Sequence, residues 1–170
     1  MPPALKVTLT CLALLATSVG RTGSVDNLGY DPKADPFEKY RLAIAQAQAQ
    51  NKLVLVVAGG EWCYWCRVFD QFVADNTDVQ RDLNDAFVVV KVYVGDRNYN
   101  ELFFSQLPRA TGAPFFWIVS SKRTVLAAQS TRAFEAPDDR YDKNKFLEFV
   151  RRWKEQAVAN SSPSPAADAS

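Results

Sequence analysis

The chain has 170 residues, 48% of them apolar and 12% aromatic, which is enough for one hydrophobic core and favours a single domain. Its 20 basic and 19 acidic residues nearly cancel, so no strong field points to nucleic acid or an acidic membrane as a partner. Histidine is absent, which removes Cys-His and Ser-His-Asp catalysis and any zinc site that needs imidazole, and the single methionine, Met1, removes thioether copper ligation.

Residues 1–20 read as a secretory signal. Lys6 supplies the positive start, residues 7–19 form an apolar run too short for a comfortable membrane span, and Ser18 and Gly20 are small residues ahead of a cleavage point. An exported, most readily periplasmic, protein is expected. A lipid anchor at Cys11 is the alternative, but Val7-Thr8-Leu9-Thr10 lacks the small residue usual before a lipidated cysteine. Cleavage near Gly20 removes Cys11 and leaves Cys63 and Cys66. One close-spaced pair in an exported protein is no disulfide framework; it reads as a redox centre.

Residues 21–36 mix Gly, Asp and Pro without periodicity and read as an extended lead-in. Asp35-Pro36 looks like an N-cap followed by proline at the first helical position. The helix it opens runs to about Gln50, with Phe37, Tyr40, Leu42 and Ile44 on its apolar face. Asn51-Lys52 breaks it, and residues 53–58 are apolar on both faces, the pattern of a central covered strand. After the Gly59-Gly60 turn comes a helix whose first residues carry Cys63 and Cys66, burying Val68, Phe69, Phe72 and Val73 on the side away from Arg67 and Asp70. A second helical piece over residues 78–84, a strand over 87–94, and a helix over 99–107 ended by Pro108 follow. Residues 115–119 form a strand with Phe115, Phe116 and Trp117 in the core, turning through a hairpin into 124–129. Residues 136–142 read as a polar loop, and Phe146, Leu147, Phe149, Val150 and Trp153 mark a last amphipathic helix to about Val158. Residues 159–170, rich in Ser, Pro and Ala, are expected to be a disordered tail. The alternation closed by a hairpin predicts an α/β domain over residues 37–158, with a mixed central sheet and helices on both faces.

The chemistry concentrates at the two cysteines. Free N–H groups and the positive end of the macrodipole at a helix start stabilise a thiolate, and a lowered thiol pKa makes the nucleophilic form available near neutral pH. A second thiol one turn on can attack a mixed disulfide made by the first. The competing reading is a permanent disulfide closing a turn, but so short a loop surrenders little entropy and makes a poor staple. Two thiolates alone leave zinc or copper short of ligands, so neither a metal nor another cofactor is expected.

Trp62-Cys63-Tyr64-Trp65-Cys66 after a buried strand, Gly112-Ala113-Pro114 before an apolar strand, and the hairpin with its closing helix together resemble the thioredoxin superfamily over roughly residues 37–158. The resemblance implies a thioredoxin-like three-layer α/β/α sandwich, with Cys63 as the attacking thiol and Cys66 as the resolving one. It also implies a cis-proline loop at Pro114 that sets the backbone of Ala113 beside the disulfide, where an extended substrate can pair with it. Trp62, Tyr64 and Trp65 then form an apolar rim for substrate, although Trp62 suits packing under the loop equally well. Glu61 is a candidate proton acceptor for Cys66, against a solvated turn carboxylate. Arg67 reads as a solvated helix arginine.

This sequence departs from the family between the cysteines, where Tyr64-Trp65 replaces the Gly-Pro of reducing thioredoxins and the Pro-His or Gly-His of oxidising members. Aligned on Trp62-Cys63, Val57 falls where thioredoxins carry a buried aspartate and Lys91 where they carry its lysine partner, so Lys91 is expected to be a strand-end charge. With no histidine to stabilise the reduced form, the implied activity is a thiol–disulfide oxidoreductase that reduces or exchanges disulfides of exported proteins, at a potential below about −200 mV. Its partners are disulfide- or thiol-containing proteins and a membrane electron-donor protein. The alternative is a redox-silent thioredoxin-like binding module, a chaperone or assembly factor that presents its aromatic loop.

Overall fold

The computed structural model describes residues 29–161; the expected signal, the lead-in before Gly29 and the rest of the expected tail beyond Ser161 lie outside the described residues. Helix α1 spans Pro36–Gln50, opened by Asp35, whose carboxylate accepts from the N–H of Phe37 at 2.9 Å, and closed at Asn51 in the left-handed region. Its buried stripe is Pro36, Ala43, Ile44 and Ala47, whereas Leu42, expected on the apolar face, points to solvent. Small alanines let this helix lie close to the sheet, and Leu42 falls two positions from Ile44, on the opposite side of a 3.6-residue turn.

Strand β1, Leu53–Gly59, is buried along its whole length. Helix α2, Tyr64–Asp75, and helix α3, Thr77–Ala86, follow, then strand β2, Phe87–Tyr93. The helix expected over 99–107 is a single turn, α4, Glu101–Phe104. Asn100 enters it in the left-handed conformation and Pro108 lies beyond, so a longer run of i to i+4 bonds does not develop. Strands β3, Phe115–Val119, and β4, Val125–Ser130, form the hairpin. A 3₁₀ turn, Thr131–Phe134, leads into two short strands, β5, Glu135–Ala136, and β6, Arg140–Tyr141, where a plain loop was expected. That small hairpin exists because Tyr141 is buried against the core and ties its end down. Helix α5, Lys143–Ser161, runs three residues past Val158 into the segment expected to be tail.

The sheet order is β2-β1-β3-β4, with β1 and β2 parallel and the other two pairings antiparallel. This is the thioredoxin-like α/β architecture with a mixed four-stranded sheet flanked by helices. Because side chains alternate along β1, Val54, Val56 and Ala58 pack with Ala43, Ile44 and Phe103 on the face of α1 and α4, while Leu53, Leu55 and Val57 pack with Phe69, Phe146 and Val150 on the face of α2 and α5. Each such side chain removed from water contributes about 1.5–3 kcal/mol, so both faces hold the central strand in register.

Candidate active site

Strand β1 ends at Gly59, and the chain turns through Gly60-Glu61-Trp62 to place Cys63 as the N-cap of α2. Cys63 is extended at φ −82° and ψ 114°, and its sulfur accepts the N–H of Cys66 at 3.2 Å. A polar N-cap side chain ordinarily fills this position, because the first N–H groups of a helix lack carbonyl partners. Here a sulfur does so, which is the geometry that favours its anion. Cys66 sits one turn on, its Cα 5.2 Å from that of Cys63, and the two form a disulfide. Both cysteines are buried in the disulfide form, Cys63 at 4% exposure and Cys66 at 0%.

Gly59 is required by this arrangement: a Cβ there would stand 2.6 Å from Cys66 Sγ and 2.7 Å from the hydroxyl of Tyr30. Trp62 combines its two expected roles, donating its indole N–H to the Val94 carbonyl at 2.8 Å while more than half its surface stays exposed. Tyr64 is exposed, and half-buried Trp65 packs edge-on between it and Tyr141, at 5.9 and 5.5 Å between centroids. The Ala113-Pro114 peptide is cis and precedes Phe115, whose register partner on β1 is Ala58. The loop therefore lies at the same end of the sheet as the cysteine turn. Trp62 and Ala113 line one cleft of about 880 Å³ together with Tyr99, Phe104 and Trp117. Phe115, Phe116 and Trp117 are themselves core residues, as their sequence suggests.

Among the charged residues near the cysteines, Lys91 and Asp70 are the ones placed differently from expectation. The carboxylate of Glu61 pairs with Arg97 at the surface, while Cys66 is enclosed. Arg67 is exposed and donates to the Glu61 carbonyl at 2.6 Å. Lys91 is not a strand-end charge: it pairs in register with Val57 from within the edge strand β2, its side chain 4% exposed, and its ammonium meets Asp70 at 2.6 Å. Asp70, expected on the solvent side of α2, instead reaches over the sheet edge to that ammonium, since a buried cation requires a partner.

Sequence reasoning missed Tyr30. The lead-in folds back over the end of the sheet, pinned where Asn98 donates to the Pro32 carbonyl at 2.9 Å. It lays the Tyr30 ring under the Lys91 ammonium, 5.4 Å away, with the hydroxyl sealed from solvent. Burial chiefly, then the nearby Asp70 and Tyr141, push its phenol well above the ordinary range. Tyr141 is likewise pushed up to about 12, mainly by burial. One signal existed: a lysine at 91 facing a valine at 57 leaves a polar vacancy that something distant in sequence has to fill.

The sequence matches the family pattern described as thioredoxin-like over residues 35–121. No curated protein matches significantly. Among solved structures, the disulphide isomerase from Xylella fastidiosa Temecula1 superposes with a TM-score of 0.55 at 24% identity, covering 80% of this chain and 98% of that one. A thioredoxin from Thermus thermophilus gives a TM-score of 0.51 at 23% identity, covering 76% of this chain and 95% of that one. The C-terminal domain of DsbD from Neisseria meningitidis, in its oxidised form, gives 0.52 at 14%, covering 70% and 96%. These likenesses concern the fold, and they agree with a sequence pattern that spans half of the chain: it belongs to the thioredoxin-like family.

Proposed function

We propose that this protein is a thiol–disulfide oxidoreductase that reduces or exchanges disulfides of exported proteins through Cys63 and Cys66. The observation that carries this reading is the N-cap placement of Cys63, whose sulfur already accepts a helix N–H while disulfide-bonded to Cys66. In the reduced protein the Cys63 thiolate attacks a substrate disulfide, forming a mixed disulfide and expelling one substrate thiolate. Cys66 then attacks Cys63 Sγ, expels the second substrate thiolate and restores the internal disulfide, so two electrons pass to the substrate. In this reading the backbone at Ala113, set by the cis bond to Pro114, and the exposed face of Trp62 hold an extended substrate across the cleft, and the exposed Tyr64 offers a further apolar contact. Glu61, engaged with Arg97, contributes charge at the rim.

The reducing direction is supported by the absence of histidine from the chain, and re-reduction then falls to a membrane electron-donor protein. The names of two fold relatives, a disulphide isomerase and DsbD, are in keeping with disulfide chemistry. Export to the periplasm rests on the signal-like residues 1–20. The cleft of about 880 Å³, with Tyr99 exposed at its lining, favours a second reading as a binding module.

Trapping tests the proposal. Reduced Cys66→Ser protein mixed with insulin is expected to accumulate a covalent adduct at Cys63 that dithiothreitol releases, because the resolving thiol is gone. Cys63→Ser should form none. Failure of Cys66→Ser to form an adduct under conditions where dithiothreitol itself opens insulin would support the binding module.

A further inference from the structure

We infer that the hydroxyl of Tyr30 is the hydrogen-bond donor that receives the Cys66 sulfur when the disulfide opens, which makes Tyr30 a catalytic residue of the exchange proposed above, on whose reading this assignment rests. The hydroxyl is buried and has no hydrogen-bond partner in the disulfide form. Buried polar atoms are nearly always paired, so an orphan beside a reactive centre points to a partner that forms during the reaction. Its position identifies that partner. The phenol oxygen and Cys66 Sγ lie 2.7 and 2.6 Å from one point, the place a Cβ on Gly59 would occupy, so the two atoms face each other across Gly59 at no more than about 5.3 Å. Gly59 keeps the two atoms in reach of each other.

The chemistry requires such a donor. When a donor thiolate attacks Cys63 Sγ, a bond forms between the two sulfurs, the Cys63–Cys66 bond breaks, and its electron pair leaves on Cys66 Sγ. No proton moves in that step. A full negative charge therefore arises on an atom with 0% exposure, where water cannot solvate it. Val57, on the strand face beneath, offers no polar atom, and the Glu61 carboxylate is held by Arg97. Tyr30 supplies an O–H to this sulfur, which cleavage has changed from a neutral, poorly accepting disulfide atom into a charge-assisted acceptor. In the opposite direction the same bond holds the Cys66 thiolate facing Cys63 and is released as its electron pair makes the new disulfide.

The surroundings keep the phenol protonated and thus a donor. Burial, Asp70 on α2 and Tyr141 on β6 all oppose its ionisation. Lys91 on β2 sits over the ring with its charge answered by Asp70, and Lys39 on α1 is spent on the Lys91 carbonyl at 3.1 Å. Cys66 on α2 is the remaining ionisable neighbour, and the donor has no other assigned acceptor.

The test reads Cys66 directly, as the pKa followed by the NMR shift of its labelled Cβ in the reduced Cys63→Ser protein. Tyr30→Phe keeps the ring and removes the donor, and should raise the Cys66 pKa by about one unit, a tenfold fall in acid dissociation. Fluorotyrosine at position 30 keeps the hydroxyl, strengthens it as a donor and should lower the pKa, so the assignment stays testable even where Tyr30→Phe folds poorly. Identical Cys66 titrations with tyrosine and fluorotyrosine, or with tyrosine and phenylalanine, would overturn it. Insulin reduction by the wild type, run in parallel, separates the two readings. Turnover without any dependence on residue 30 sinks this assignment alone, whereas a normal dependence in a protein without turnover sinks the exchange reading.

Discussion

Cys63→Ser is expected to lower insulin reduction by about three orders of magnitude or more, to the rate of the reductant alone. The size follows from what the residue supplies. The chain has no histidine to act as a base, and the remaining thiol among the described residues, Cys66, is fully buried at 0% exposure. A serine at 63 can still cap α2, since a hydroxyl accepts an N–H at this position at least as well as sulfur does. The fold should therefore survive while the chemistry stops. Stopped-flow or turbidity traces of insulin reduction, together with a melting curve of each protein, check both halves. Residual activity within tenfold of wild type would assign the reduction to another group.

Asp70→Ala should be the most damaging of the substitutions outside the cysteine pair, costing about 3 kcal/mol of stability. It leaves the Lys91 ammonium in the sheet with 4% exposure and only the Tyr30 ring for company. The cost lies at the lower end of the range for breaking buried pairs because Asp70 is itself 38% exposed and the cation–π contact remains. Lys91→Met removes the cation together with the need for its partner, and should cost far less. Urea denaturation gives the comparison. In melting temperature the alanine variant should fall by roughly 10 °C. Equal stability of Asp70→Ala and wild type would mean that the ammonium finds water or another acceptor.

The same pair shows what was legible in the sequence and what was not. Short-range signals carried far: the Asp35-Pro36 cap, the both-faces apolar pattern of β1 and the cysteines at the start of α2 all follow from residues within a turn of one another. The sheet layout followed from alternation and the hairpin. Side-chain partnerships between distant segments did not. Asp70 and Lys91 are 21 residues apart, and nothing in helical periodicity says that a polar residue on α2 will cross the sheet edge to a lysine. Tyr30 lies in a stretch with no periodicity at all, and its place beside Cys66 depends on Gly59 and on the Asn98 bond to Pro32. The contact of Trp65 with Tyr141, 76 residues on, is hidden for a related reason: its place between the cysteines does not announce a partner so far along the chain.

The central claim is that the helix start makes the sulfur of Cys63 a reactive anion at neutral pH. Its most direct test is the rate of iodoacetamide alkylation at Cys63 in the fully reduced protein as a function of pH, resolved by mass spectrometry of the peptide that contains it. The account predicts a midpoint well below the ordinary thiol value of about 8.5. A midpoint at or above that value would contradict it.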